Sequence, residues 1–157
     1  CMVYPYRMLR EKYDVHAYFY NPNIHPFREY QARKECLTAY CAREEIACTV
    51  HEKYGLKDFL QRVVFHEDER CGHCYQMRMQ ETARFAQENG FRRFSTTLLY
   101  SRYQNHRQIV EIGQQEAAAH NLDFYYEDFR TGWQWGKKKK KKQEMYRQAY
   151  CGCIYSE

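Results

Sequence analysis

The chain has 157 residues, with 25 Lys and Arg against 20 Asp and Glu and a formal net charge of +5. That length serves one domain with a real core. No apolar run approaches the roughly 18 residues that a membrane span needs, so a soluble, cytoplasmic protein with no membrane partner is expected. Sixteen tyrosines and nine phenylalanines on a basic chain suit a nucleic acid, through phosphate contacts and base stacking, without selecting one on their own.

The chain opens on Cys1, and nothing before Met8 has the charged-then-apolar order of an export signal. The true start is expected to lie upstream. A short helix carrying Met8 and Leu9 follows and ends at Lys12-Tyr13-Asp14. Val15 to Tyr20 is aromatic and β-branched, which predicts a strand. Asn21-Pro22-Asn23-Ile24-His25-Pro26 breaks it, because proline opposes the strand and restricts the residue before it. The break sits just past a strand end, where open α/β sheets place their ligands.

Phe27 to Glu45 has helical spacing, with Tyr30, Leu37 and Cys41 on one face. Ile46 to His51 predicts a second strand, and Tyr54 to Val64 reads as a helix or turn after Gly55, with Leu56, Phe59, Leu60 and Val63 as its apolar stripe. A longer helix is predicted from Cys71 to Asn89, burying Tyr75, Met79, Ala83 and Ala86 and stopping at Gly90. Phe94 to Leu99 predicts a third strand, Ile109, Ile112, Gly113 and Ala117 the inward face of the next helix, and Asp123 to Tyr126 a fourth strand. Asp128 to Gly136, with two glycines and two tryptophans, reads as a loop that stacks on a base, closes over a site, or packs as a cap. Lys137 to Lys142 reads as a solvated, mobile run of like charge that could also touch phosphates. A helix from Glu144 to Tyr150 is predicted to deliver Cys151-Gly152-Cys153. The alternation argues for an α/β fold, a parallel sheet with helices on both faces. An initial strand before Cys1 would place that cysteine at a strand's carboxyl end.

Eight cysteines are heavy use for a chain with no export signal, and in a reducing compartment they favour metal or redox chemistry over structural disulfides. Cys36, Cys41 and Cys48 are read as small buried hydrophobes. The close pairs Cys71/Cys74 and Cys151/Cys153 are not. A Cys-x-x-Cys opening a helix sets two sulfurs on one face, where the helix dipole favours thiolates. Three chemistries stay open: a structural zinc held by Cys71, Cys74, Cys151 and Cys153, although Cys-x-Cys is tighter than a zinc knuckle; an iron–sulfur cluster on Cys71 and Cys74 with Cys1 as third ligand; and a dithiol–disulfide couple at Cys151 and Cys153, whose small strained ring would be labile. His25 and His106 follow strand ends but read more readily as surface or hydrogen-bonded groups. Asp128 either ligates metal or substrate, or caps its turn.

A set of ordered motifs covers nearly the whole chain: Asn21 to Pro26 with Glu29-Tyr30; Arg70-Cys71-Gly72-His73-Cys74-Tyr75 with Arg78; Thr96 to Leu99 with Ser101 and Tyr103-Gln104-Asn105; Asp128-Phe129-Arg130 with Gly132-Trp133; and Tyr146-Arg147-Gln148 with Tyr150 to Cys153. This set resembles the QueH-type epoxyqueuosine reductases. The resemblance implies an adenine-nucleotide-hydrolase-like (HUP, Rossmann-like) α/β fold and a tRNA-modifying oxidoreductase. Such an enzyme removes the epoxide oxygen of epoxyqueuosine in the anticodon to give queuosine. It implies a [4Fe-4S] cluster with an additional iron, cluster ligands at Cys71 and Cys74, a redox pair at Cys151 and Cys153, and an external electron donor. The family's opening strand and Cys-Cys-x-Pro-Cys motif would end at Cys1, so residues 1–157 are expected to be a single domain lacking that strand and part of that motif. The hexalysine has no counterpart in the resemblance. The alternative from another class is a zinc-stabilised, non-catalytic RNA-binding module.

Overall fold

The computed structural model describes residues 1–156, the side chain of Lys140 apart. In chain order the regular elements are α1 (Val3–Leu9), β1 (Ala17–Phe19), α2 (Phe27–Arg43), β2 (Cys48–Val50), α3 (Leu56–Val63), α4 (Arg70–Glu88), β3 (Arg93–Phe94), α5 (His106–Ala119), β4 (Asp123–Phe124) and α6 (Trp133–Lys142). β1 pairs in parallel with β2, Ala17 opposite Cys48 and Phe19 opposite Val50. β3 pairs in parallel with β4, Arg93 opposite Asp123 and Phe94 opposite Phe124. The class is α/β with parallel strands, but the single sheet expected from the alternation is instead two two-stranded sheets. β1 and β3 both line one large cavity, so each pair ends where that cavity begins.

The elements form where the apolar spacing puts them. α4 buries Tyr75, Met77, Met79, Ala83 and Ala86, and Gly90 takes the left-handed conformation that ends a helix, with φ of 74°. Its inner face joins Ile109, Ile112 and Ala117 of α5 in the largest core cluster, which also takes in Leu99, Tyr100 and Phe129. α5 starts at Asn105, whose side chain accepts the Gln108 N–H at 3.2 Å. On α3, Phe59 and Val63 are fully buried and meet Met77 of α4 and Cys153 in a second cluster.

Three segments depart from expectation. Only Arg93–Phe94 is strand in the third predicted strand, and Thr97–Tyr100 winds into a 3-10 turn. The Thr96 hydroxyl accepts the Leu98 N–H at 3.2 Å and bends the chain away from strand geometry. The Trp-rich stretch is a 3-10 turn, Phe129–Gly132, running directly into α6, and the lysine run is the end of that helix rather than a mobile segment. Packing holds it there: Gly132 lies against the Tyr4 ring and Gly136 against Tyr100, and Trp135 tilts on Tyr4 beneath the Arg7 guanidinium, 4.6 Å from its ring. The helix expected from Glu144 to Tyr150 is absent; Glu144 has φ of 53° and the segment runs irregularly. The Tyr150 carbonyl and the Tyr146 hydroxyl are bound by α2, and the Tyr150 hydroxyl by the His25 carbonyl.

Gly113 of α5 faces Phe124 of β4 so closely that a Cβ there would stand 2.5–2.7 Å from the ring. Gly113→Ala is expected to cost about 1–3 kcal/mol by overpacking, with part recovered in the Gly113→Ala/Phe124→Leu double variant. Urea unfolding of the three proteins measures both terms.

Candidate active site

The cavity has a volume of about 1310 Å³, above the roughly 300–1,000 Å³ of ordinary small-ligand pockets. Cys1, Cys36, Cys71, Cys74, Cys151 and Cys153 all line it. Each thiol pair is delivered by a different device. Cys71 and Cys74 come from the first turn of α4, one turn apart on the face that also carries Arg78 toward the cavity. Cys1 precedes α1 and is exposed.

Cys151 and Cys153 arrive on the irregular C-terminal segment, which α2 and the Asn21–Pro26 loop hold in place. The Arg33 guanidinium donates to the carbonyls of Cys151 (2.8 Å) and Tyr150 (2.9 Å) and through Nε to Glu29 at 2.7 Å. The charged pair sits at helical i,i+4 spacing with both side chains largely buried. Glu29 also accepts from the Tyr146 hydroxyl. From the loop, the His25 N–H donates to the Gly152 carbonyl at 2.7 Å, the Tyr150 hydroxyl donates to the His25 carbonyl, and Ile24 bridges antiparallel to Cys153. Gly152 has φ of 104°, and a Cβ there would come within 3.0 Å of both Arg33 and Ile24. Only glycine fits this turn.

The four thiols of the two pairs share one electrostatic environment. The Cys74 surface opens onto the cavity while protein surrounds it on every other side. Burial pushes its thiol up to about 12, with smaller upward contributions from Cys153, Cys151 and Cys71 and an opposing one from Arg78. Cys153 is raised chiefly by burial, against the Tyr155 backbone N–H and Arg70, which favour its thiolate. The thiol of Cys74 packs on the same cluster as Cys153. Cys151 is exposed; its sulfur lies 2.8 Å from Ser156 Oγ and accepts the Cys153 N–H at 3.4 Å. The convergence of distant cysteines on one face, expected from sequence, is therefore met for Cys71, Cys74, Cys151 and Cys153. Cys41 is buried, and its thiol is raised to about 12 by that burial and by Cys48, as suits a core residue.

Asp128 is not brought to the cavity. Both its oxygens take the Arg130 guanidinium at 2.7 Å, Oδ1 caps the following turn, and the Arg130 hydrogen bonds hold its carboxyl at about 2. His25 serves through its backbone. His106 faces the Tyr126 hydroxyl at 3.3 Å, and its pKa is lowered by burial. Sequence reading missed Arg33, whose one signal was its i,i+4 spacing from Glu29, and it missed that Cys36 reaches the cavity. Two polar atoms in the wall, Asn23 Oδ1 and Ser95 Oγ, are buried with no hydrogen-bond partner among the described residues, which suits a polar ligand.

The donor set fits a thiolate-bound iron–sulfur group in its chemistry. Soft donors from three chain segments line the one cavity, and a buried thiol as hard to ionise as Cys74 gains most from a cation beside it. Among the described residues no three His, Cys, Asp or Glu side chains already form a metal-binding group.

The site is a cavity of an α/β protein, walled by thiols and arginines near the ends of parallel strands. The family model for epoxyqueuosine reductase QueH matches residues 1–157. Relatives of that description include proteins from Dehalococcoides mccartyi, 34% identical over 158 residues (100% of this chain, 87% of the relative), and Acinetobacter baylyi, 37% identical over 152 residues (91% and 69%). A third, from Thermotoga maritima, is 31% identical over 156 residues (91% and 79%). The chain belongs to the epoxyqueuosine reductase QueH family.

Two outcomes follow from the geometry. In reduced, metal-free protein, iodoacetamide at neutral pH should label the exposed Cys151 and Cys71 first and Cys74 last. Well below a pKa raised to about 12 only a small thiolate fraction reacts, and it grows about tenfold per pH unit, so Cys74 labelling should speed up in the same proportion as pH rises; peptide mass spectrometry follows each site. Arg33→Met removes two charge-assisted bonds and leaves Glu29 buried beside no cation, an expected loss of about 2–3 kcal/mol. Hydrogen exchange at Tyr150 to Cys153 should accelerate with it.

Proposed function

We propose that this chain is an epoxyqueuosine reductase, taking the epoxide oxygen from epoxyqueuosine in the tRNA anticodon to leave queuosine. The observation that carries the reading is the meeting of Cys71, Cys74, Cys151 and Cys153 at one cavity in a chain matched end to end by the family model. An anticodon loop is single-stranded, so its modified base enters a pocket without the cost of opening a duplex. Arg78 lies at the cavity to meet anionic groups, and the partnerless Asn23 and Ser95 oxygens are placed to meet polar ones.

Deoxygenating an epoxide to an alkene breaks both C–O bonds of the ring, consumes two electrons and two protons, and releases the oxygen as water. Oxidation of the Cys151/Cys153 dithiol to a disulfide supplies two electrons and two protons, so the reaction balances, and an external thiol or dithiol donor returns the pair to the reduced state. Cys71, Cys74 and Cys1 would hold a [4Fe-4S] cluster, with further ligands and an additional iron beyond them; when bound, such a group supplies electron transfer and Lewis acidity toward the epoxide oxygen. Asp128, tied to Arg130, serves the turn in this reading. The HUP affiliation of the sheet and a cytoplasmic location belong to the same proposal.

Anaerobically purified protein should carry iron and acid-labile sulfide and convert epoxyqueuosine-containing tRNA to queuosine with a strong reductant. Cys71→Ala and Cys153→Ala should each lower turnover at least 100-fold. Unchanged turnover in both would remove the roles given to Cys71 and Cys153, and zinc without sulfide would return the chain to the class of zinc-stabilised, non-catalytic RNA-binding modules.

A further inference from the structure

The positive charge of this protein is concentrated. Setting aside the six lysines at 137–142 leaves 19 Lys and Arg against 20 Asp and Glu, so the whole net surplus sits on one stretch. That stretch is helical and anchored, because the first turns of α6 are clamped on α1 and Tyr100 through Gly132, Trp135 and Gly136. Lys137, Lys138, Lys139, Lys141 and Lys142 are exposed, and among the described residues none of these five is in an ion pair. Like charges at i,i+4 oppose a helix, and only part of that cost is offset by their place at its C-terminal end. A bound polyanion would remove the rest.

The rail points at the site. Lys137 itself lines the thiol-walled cavity, as does Trp133 at the start of the same helix. The faces of Trp133 are occupied by Tyr100, 5.3 Å away between ring centroids, and by the Arg102 guanidinium at 5.7 Å. Tyr103 lies nearly perpendicular to Trp133, ring centroids 6.0 Å apart, is 84% exposed, and also lines the cavity. At that exposure the ring keeps an open face for a flat partner at the mouth. A lipid surface would use the lysines but offer nothing flat to Tyr103. An RNA uses both.

Building on the tRNA-directed reading above, we infer that α6 is the guide for the substrate RNA: its lysines hold backbone phosphates of the anticodon arm, and Tyr103 stacks on a base next to the one entering the cavity. Binding of a fluorescent anticodon stem-loop to the full chain, by anisotropy from about 50 to 300 mM KCl, tests this. Each phosphate released should contribute about 0.7–0.9 to the salt slope. The variant with Lys137→Gln, Lys138→Gln, Lys139→Gln, Lys141→Gln and Lys142→Gln should bind at least tenfold more weakly at the lowest salt, its slope reduced by about 2–3. Tyr103→Ala should lose about tenfold with the slope unchanged, because stacking releases no counterions.

Wild-type affinity and slope in the five-lysine variant would falsify the guide, as would lysine-dependent binding to phosphatidylserine vesicles with no binding to the RNA. The measurement needs no turnover, which separates the two readings. Lysine-dependent RNA binding by protein that forms no queuosine supports the guide and counts against the reductase. Queuosine formation with a salt dependence indifferent to the five substitutions does the reverse.

Discussion

The structure of the site depends on one guanidinium. Arg33 grips the carbonyls of Tyr150 and Cys151 with its two terminal nitrogens and is itself held by Glu29. A planar fork satisfies two oxygens at fixed separation in a way that an ammonium does not, so the C-terminal segment is placed by direction as well as by charge. The segment has no helix or strand of its own between Gln143 and Cys151. Its position is borrowed from α2 and from the Asn21–Pro26 loop, and the thiols of Cys151 and Cys153 reach the cavity only because of that loan.

Burial then differentiates thiols of identical chemistry. Cys74 and Cys153 are shielded and hard to ionise, whereas Cys151 faces solvent with two hydrogen-bond partners for its sulfur. An exposed thiol is accessible to an external donor, and a shielded neighbour lies next to the α4 pair. The same polypeptide edge therefore presents an outer and an inner sulfur two residues apart, with Gly152 supplying the left-handed turn that lets them face different surroundings.

The electrostatic layout matches this division. Arginines on α2 and α4 stand at the cavity wall, and the unpaired charge of α6 lies at its rim. Arg78 and Arg70 favour the thiolates of Cys74 and Cys153 over a few ångströms, where the dielectric is low. Exposed lysines act at longer range and are screened by salt. Capture and chemistry are thus assigned to different cations on separate helices.

Much of this was legible from residue order. The α4 stripe from Tyr75 to Ala86, the Gly90 stop, the inward face of α5 and the core placement of Cys41 follow from spacing alone, since helical periodicity and burial are local properties. The two cysteine pairs announced themselves by spacing as well. Three things were decided only by tertiary contact. Trp133 to Lys142 became a helix because Tyr4, Arg7 and Tyr100 dock it, although its own charges oppose it. Glu144 to Tyr150 stayed irregular because Arg33, Glu29 and His25 outbid its internal hydrogen bonds. Asp128, which composition offered as a ligand, turned to Arg130 two residues away. Local pattern determined which faces are apolar and which residues carry sulfur; long-range packing decided which sulfurs meet, because a hydrogen bond between residues more than a hundred positions apart leaves no periodic trace in the chain.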